Sequence, residues 1–457
     1  MSIAPLTPVL TALWDTQRSW KLDTYRSNGG YFGALLALKL APIQVIAEVK
    51  ASGLRGRGGA GFPTGVKWGF VPNTPETAGQ PKYLVVNCDE SEPGTCKDMP
   101  LLMANPHLVV EGAIIAAYAI GAHQVFIYIR GEVIHAVRRM QQAVAEAYQA
   151  GLLGAEPLGV PYPLHVTVHA GAGAYICGEE TALLDSLEGR PGRPRSRPPF
   201  PAVAGLYGQP TLVNNAETIA SLPAILVRGA AWHAQFGTEQ SKGTTIYSVS
   251  GHVRFPGQFE APFGITARTL LEFAGGIREG HKLKFFTPGG SSTPLFTEDQ
   301  LDVPLSYEAV AEAGSQLGTK ALQFFDETTS VLRTTRRWME FYAAESCGKC
   351  SPCREGSQWL RQLVVRLEEG HGQPGDVELI SDICNNVSGK TFCPLADGFV
   401  AMMTSAIRHF PSEFEAGYRR PASELFPYER SAVFPIPAPD AEPTPASRRV
   451  TRGEGVK

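Results

Sequence analysis

Glu345-Ser-Cys347-Gly-Lys-Cys350-Ser-Pro-Cys353-Arg-Glu-Gly356 spaces three cysteines two residues apart, and Cys393 follows in Thr391-Phe-Cys-Pro-Leu-Ala. A C-x2-C-x2-C run with one remote cysteine is how a chain folds around a cubane iron-sulfur cluster. The run takes three corners, and a residue brought in by tertiary structure takes the fourth. Structural zinc needs the same thiolates but usually draws them from separated pairs, so the spacing favours the cluster. The surroundings are helical: residues 332–344, 357–369, 376–387 and 395–409 carry helical apolar spacing, and four such helices predict a small bundle. In the second, Trp359, Leu360, Leu363, Val364 and Leu367 are assigned to one face. The cysteine run lies in the first connection and Cys393 in the third, so one bundle end can gather them. Cys384 competes for the fourth position, although its stripe with Val377, Ile380 and Val387 reads as a buried core thiol. Cys88, Cys96 and Cys177 have no partner at cluster spacing and are assigned no metal.

The chain has 457 residues, 43% hydrophobic and 19% charged, enough for two or three domains. A formal net charge of -3 argues against a nucleic-acid partner, whose phosphates demand many cations. No apolar run reaches the length of a membrane span; the stretch 109–120 is short and carries Glu111. No signal peptide is apparent at the N-terminus. Eight cysteines in so large a chain fit thiols kept for metal in a reducing compartment better than a disulfide framework.

Outward from the cysteines, two glycine loops stand out. Gly56-Arg-Gly58-Gly59-Ala-Gly61-Phe62-Pro63 fits G-x-G-x-x-G, but a helix over residues 42–50 precedes it and Pro63 follows. An ordinary dinucleotide fingerprint follows a strand and opens a helix, so this loop is read as a bare-backbone approach for a flat or phosphorylated ligand. The second loop, Gly171-Ala-Gly173-Ala-Tyr175-Ile-Cys-Gly178-Glu179-Glu180-Thr181, follows a strand at 165–169 and opens a helix. That geometry makes it the better phosphate candidate of the two, with helix capping as the alternative role of Glu179 and Glu180. A buried strand over residues 83–87 runs into Asn87-Cys-Asp89-Glu90-Ser91-Glu92, where carboxylates and amides can read ribose or ribityl hydroxyls beyond a strand end. A helix at 109–121, a strand at 124–129 and a helix at 133–150 continue an alternating α/β pattern. Arg190, Arg193, Arg195 and Arg197 lie in a proline-rich loop, and Thr211-Leu-Val-Asn214-Asn215-Ala-Glu-Thr218 offers a polar contact rim. Asp89, Glu92 and Glu180 make the expected pocket negative, which should disfavour a further phosphate. Residues 241–330 read as a small α+β unit with no obvious chemical residues and a structural or docking role. Residues 431–457 are rich in proline, alanine and arginine, and read as a disordered tail.

Four stretches, residues 52–68, 87–95, 175–183 and 345–356, together resemble the flavin- and NADH-binding F subunit of respiratory complex I, NADH:quinone oxidoreductase. The resemblance runs from about residue 25 to 415. The same module occurs as a diaphorase subunit in NAD-linked hydrogenases and formate dehydrogenases. It implies a Rossmann-like α/β flavin domain (1–240), an α+β β-grasp domain (241–330) and an all-α four-helix bundle (331–430) carrying one [4Fe-4S] cluster. By position, Gly56, Gly58, Lys67, Asn87, Asp89, Ser91, Glu92, Tyr175, Gly178, Glu179, Glu180, Asn214, Asn215 and Thr218 would form the FMN pocket. Phe62, Phe70 and Phe200 would embrace the adenine of NADH, and Arg197 stands where the family carries lysine. Cys347, Cys350, Cys353 and Cys393 match the cluster ligands, which chooses Cys393 over Cys384. Hydride transfer from NADH to FMN requires no protein acid or base, so no catalytic residue is assigned; Glu180 is the nearest candidate modulator. The implied partners are a thioredoxin-like [2Fe-2S] subunit of E type and a large iron-sulfur subunit of G type. The implied location is peripheral, on the cytoplasmic side of the inner membrane, without membrane insertion.

Overall fold

Two four-stranded sheets and a run of four helices after residue 330 organise the chain in this computed structural model, which describes residues 6–72, 77 and 79–427. The tail expected from residue 431 lies outside the described residues. The first sheet comprises β1 (Tyr83–Cys88), β2 (Gln124–Ile129), β3 (His165–Ala170) and β4 (Thr211–Asn215), parallel throughout in the order β3-β2-β1-β4. β1, β2 and β4 are mostly buried on both faces because both are covered, whereas the edge strand β3 alternates buried Val166 with exposed His165 and Thr167. Leu84 and Val86 enter a core with the helix Pro106–Ile120, while Val85 and Val213 enter another with the helices after residue 330. Pro106–Ile120 is apolar nearly all round and almost wholly buried. Its Glu111 is satisfied by the Tyr31 and Ala34 amides, at 2.8 and 3.0 Å, and by the Tyr25 hydroxyl. No single described helix is long and apolar enough to cross a membrane.

The second sheet is built from β5 (Thr244–Gly251), β6 (Gly257–Pro262), β7 (Leu283–Thr287) and β8 (Ala321–Asp326), in the order β6-β5-β8-β7. Its central pair is parallel and both outer pairs are antiparallel. The helix Ala267–Phe273 packs Ala267 and Leu270 into a core with Tyr247, Phe286 and Phe324. The sequence reading missed β6, where Pro256-Gly257 signals only a turn, and β4, whose polar end conceals a strand until it pairs with β1.

Four helices follow: Val331–Glu345, Ser351–Glu368, Asp376–Val387 and Leu395–His409. The second starts six residues earlier than the expected residue 357, because Pro352 sits in its first turn, where proline's missing N–H costs nothing. Cys353 therefore lies within a helix rather than in a connection. Trp359 is also corrected: it is 53% exposed, while Leu360, Leu363, Val364 and Leu367 are buried. One residue turns a helical side chain by about 100°, enough to carry Trp359 off the stripe of Leu360.

Candidate active site

β1 is bordered by β2 on one side and β4 on the other, so the strand order reverses beyond their carboxyl ends. Such a switch point is where an open parallel sheet leaves a crevice. Asn87 and Asn215 face each other in register there. A cavity of about 500 Å³ opens above them. Of the expected flavin-pocket residues, Gly58, Asn87, Asp89, Ser91, Glu92, Tyr175, Gly178, Glu179 and Asn215 line it. Gly56, Lys67, Glu180, Asn214 and Thr218 stand behind that wall and hold it. Lys67 Nζ donates to Glu180 Oε2 and to the Val213 carbonyl, each at 2.8 Å. Asn214 Oδ1 accepts from the buried Trp68 indole at 2.9 Å, and Thr218 Oγ1 from the Arg57 amide at 2.8 Å. Phe62 and Phe70 form a tilted pair with centroids 6.1 Å apart. Together with Phe200 they lie outside the cavity wall, each about half exposed. Arg197 pairs with Glu179 and lies 3.4 Å from Glu180.

The structure reverses the ranking of the two glycine loops. Glu179 is the N-cap of the helix Glu180–Leu187, and its carboxylate accepts from the Thr181 and Ala182 amides at 3.0 and 2.9 Å. The amides expected to cradle a phosphate are thus occupied by a side chain, the capping alternative. In the first loop the amides of Gly58, Gly59 and Ala60 have no hydrogen-bond partner among the described residues, and all three residues line the cavity. Space there is tight: a Cβ on Gly58 would sit 3.1 Å from Asn215 Cβ.

Burial acts on the cavity's carboxylates Asp89, Glu90 and Glu92. Burial pushes Asp89 up to about 7, with a bond from Ser91 Oγ at 2.6 Å opposing it. Burial raises Glu92 as well, while Tyr175 Oη at 2.6 Å and the Ser292 amide at 2.8 Å hydrogen-bond to it. Burial likewise raises Glu90, which caps the helix Asp98–Ala104 through the Lys97, Asp98 and Met99 amides.

Cys393 and the turn after it, through Gly398, form another part of the cavity wall. The thiols of Cys347, Cys350, Cys353 and Cys393 are neighbours: Cys353 feels Cys347 and Cys350, and Cys393 feels Cys353 and Cys347, on top of the burial that raises both. Cys384 stands apart in the helical core, where burial alone pushes its thiol up to about 12. Among the described residues the one His/Cys/Asp/Glu group with all ligand atoms within 4.8 Å is His281, Asp326 and Glu327. There the Arg278 guanidinium already neutralises Asp326.

Sequence reasoning missed a buried charge cluster beneath the cavity. Lys97 Nζ lies 2.8 Å from Asp98 Oδ1 and 3.0 Å from Glu217 Oε2, and Lys320 Nζ lies 3.5 Å from the same Glu217 oxygen. Arg57 stacks on Phe263 and donates to the Lys242 and Thr244 carbonyls. Each of these charges reads in isolation as a solvated side chain. Only the glycine loop that contains Arg57 and the polar rim at Thr211-Leu-Val-Asn214-Asn215-Ala-Glu-Thr218 marked their neighbourhood.

The family model of the Nuo51 FMN-binding domain matches residues 49–224, and that of the NADH-ubiquinone oxidoreductase-F iron-sulfur binding region matches residues 333–417. The chain is 62% identical over 410 residues to the F subunit of the NADH-quinone oxidoreductase of Streptomyces coelicolor, covering 90% of this chain and 91% of that one. To the F subunit of the Escherichia coli enzyme it is 47% identical over 412 residues, covering 90% and 92%. Among solved structures it is similar to an NAD+-reducing [NiFe]-hydrogenase in the H2-reduced state, with a TM-score of 0.79 and 32% identity over 90% of this chain and 67% of that one. With its cavity, its neighbouring thiols and these relatives taken together, the chain belongs to the F-subunit family of the NADH-quinone oxidoreductases.

Proposed function

We propose that the chain is the NADH-oxidising subunit of a quinone oxidoreductase, binding NADH and FMN in the cavity beyond β1 and β4 and delivering electrons to iron-sulfur partners. The observation that carries this reading is the shared wall: the cavity is bounded on one side by the glycine loop and on another by the Cys393 turn. Its volume, about 500 Å³, suits a flavin and the reacting end of a dinucleotide. Unpaired amides at Gly58, Gly59 and Ala60, and the absence of side chains at Gly58 and Gly178, suit a flat, phosphorylated ligand. Bound FMN supplies acceptance of a hydride and release of single electrons, and the [4Fe-4S] cluster takes one electron at a time.

The chain's own residues then position and exclude. Gly58 and Gly178 keep the stacking space open, and Asn87 and Asn215 are fixed at its floor by the Gly178 carbonyl and the Asp98 carboxylate. Tyr175, bonded to Glu92 and packed edge-on against Phe341 at 5.2 Å, closes the wall between the cavity and the helices. Cys347, Cys350, Cys353 and Cys393 hold the cluster, with Cys384 left in the core. Lys67 fixes Glu180, Arg197 closes on Glu179, and the exposed rings of Phe62, Phe70 and Phe200 are the candidates to receive adenine. The second sheet's order and the helix Ala267–Phe273 packed on it support a β-grasp unit, and the four helices after residue 330 a bundle around the cysteines. In the assembly the chain would be peripheral on the cytoplasmic side of the inner membrane, with an E-type [2Fe-2S] subunit and a G-type iron-sulfur subunit as partners.

Stopped-flow addition of NADH to reconstituted protein should bleach the bound flavin; a flavin-loaded chain that never bleaches refutes the activity. Replacing Cys393 by alanine should remove the cluster's electron paramagnetic resonance signal and Cys384→Ala should leave it; the opposite pattern refutes the ligand set. The hydrogenase likeness favours one second reading, a diaphorase subunit of an NAD-linked hydrogenase or formate dehydrogenase. The subunits that co-purify decide between the two.

A further inference from the structure

We infer that residues 241–330, which the sequence marks as structural, shape the phosphoryl-binding loop of the cofactor cavity through Lys320 and Tyr307. The inference rests on the reading of that cavity as the flavin and dinucleotide site. Lys320 is wholly buried, and its Nζ donates to the Arg57 carbonyl at 2.6 Å. The Tyr307 hydroxyl donates to the Gly56 carbonyl at 2.8 Å. Both side chains come from the second unit and reach the glycine loop of the first from outside the cavity.

The consequence follows from peptide geometry. In a planar trans peptide the carbonyl of one residue and the amide of the next point in opposite directions. Lys320 holds the Arg57 carbonyl on one side, so the Gly58 N–H is presented on the other, and the unpaired amides of Gly59 and Ala60 follow it along the cavity wall. Successive free amides of this kind make a concave anion site. Tyr307 adds a steric term, because its ring lies 2.6 Å from where a Cβ on Gly61 would stand, and it carries the Arg55 guanidinium at 4.4 Å. Burial pushes the Lys320 ammonium down to about 7, with nearby Lys97 and Arg57 adding to that and Glu217 opposing it. The grip on Arg57 does not depend on the charge, since a neutral amine still donates. The first unit contributes the complementary bond, from the Arg57 amide to Thr218 Oγ1 at 2.8 Å. The loop is thus held from both sides, and Lys320 and Tyr307 are positioning residues.

The phosphoryl group has two sources, the flavin's own phosphate or the pyrophosphate of the dinucleotide, and the test separates them. Full-length chain stripped of flavin is titrated with FMN and with riboflavin by fluorescence quenching. The FMN-loaded chain is titrated with ADP-ribose and with adenosine as competitors of NADH. Lys320→Met and Tyr307→Phe should each weaken FMN or ADP-ribose by about ten-fold or more, and should change the unphosphorylated partner by less than about two-fold. Lys320→Gln, which restores a donor without a charge, should recover part of the loss. Equal weakening within both pairs, or no weakening of either phosphorylated ligand, overturns the inference. A wild-type chain that neither prefers FMN to riboflavin nor binds ADP-ribose overturns the cofactor-site reading instead. Should Lys320→Met fail to fold, Tyr307→Phe decides alone, because it removes one oxygen and keeps the ring beneath Gly61.

Discussion

Replacing Glu217 by glutamine keeps the shape of the side chain and removes one charge from the floor of the cofactor cavity. The carboxylate is fully buried; Oε1 accepts from Thr245 Oγ1 at 2.6 Å and the Ile246 amide at 2.9 Å, and Oε2 faces Lys97 and Lys320. Burial opposes its ionisation, but Lys320, Lys97 and Arg57 outweigh burial and hold it at about 2, against 4.5 for a free glutamate. At 1.36 kcal/mol per unit that depression is worth ~3 kcal/mol of folding stability at neutral pH. The two lysines answer in opposite directions: Lys97 is raised, Asp98 and Glu217 overcoming its burial, whereas Lys320 is lowered. Lys97, at the shorter distance and with a second carboxylate beside it, is the partner that counts, so ~3 kcal/mol is an upper figure. The sign is fixed by linkage. A depressed carboxylate stabilises the fold above its unfolded value of 4.5, and loses that contribution as pH falls toward 2. Urea unfolding followed by far-ultraviolet circular dichroism should therefore show a deficit for E217Q that is constant from neutral pH to about 5 and shrinks below 4.5. A deficit under about 0.5 kcal/mol, the scatter of neutral surface changes, or one that grows on acidification, would refute the reasoning.

Gly178→Ala separates binding from folding. Its Cβ would meet only the Asp89 carbonyl, at 3.4 Å, an ordinary contact, yet the methyl would project into the cavity wall. FMN affinity should fall by about ten-fold, the effect of 1–3 kcal/mol of overpacking, with the melting temperature unchanged; a drop in melting temperature with normal flavin affinity would contradict the placement. Asp89 predicts a pH dependence: with its carboxyl raised to about 7, chiefly by burial, the cavity gains a negative charge as pH rises through that value. FMN affinity should decline across that window in the wild type and not in Asp89→Asn; parallel curves would show that Asp89 does not titrate there.

Much of the fold was legible because its periodicities are strong and local. The strand at Gln124–Ile129 and the helices Ala267–Phe273, Asp376–Val387 and Leu395–His409 fall where apolar spacing puts them. The gathering of the cysteines was legible for the same reason, since a run two residues apart commits its thiols to one place. What failed to show needed a partner. β4 is five residues long and ends in two asparagines, so only its pairing with β1 reveals a strand. Glu179 looked like a neighbour of a phosphate site until its carboxylate was seen to fill the helix N-terminus. Trp359 adjoins a buried stripe in sequence and leaves it by one helical step.

Arg57, Lys97, Glu217 and Lys320 were the least legible, because nothing in a linear sequence distinguishes a charge that will be buried from one that will be solvated. Their burial alters the meaning of the boundary near residue 240. Glu217 and Arg57 belong to the first sheet's side of the chain, yet their partners include the Thr245 hydroxyl, the Ile246 amide and the Lys242 and Thr244 carbonyls. The carboxylate and the guanidinium are thus buried and hydrogen-bonded only by groups from both sides of that boundary, and either would face water without the second unit. The glycine loop would also lose Lys320 and Tyr307 from its outer side. The start of the α+β unit read at residue 241 is thus crossed by buried hydrogen bonds. The glycine loop beside the cavity is bonded by Thr218 from one side of that boundary and by Tyr307 and Lys320 from the other, so both units touch the same short stretch of backbone.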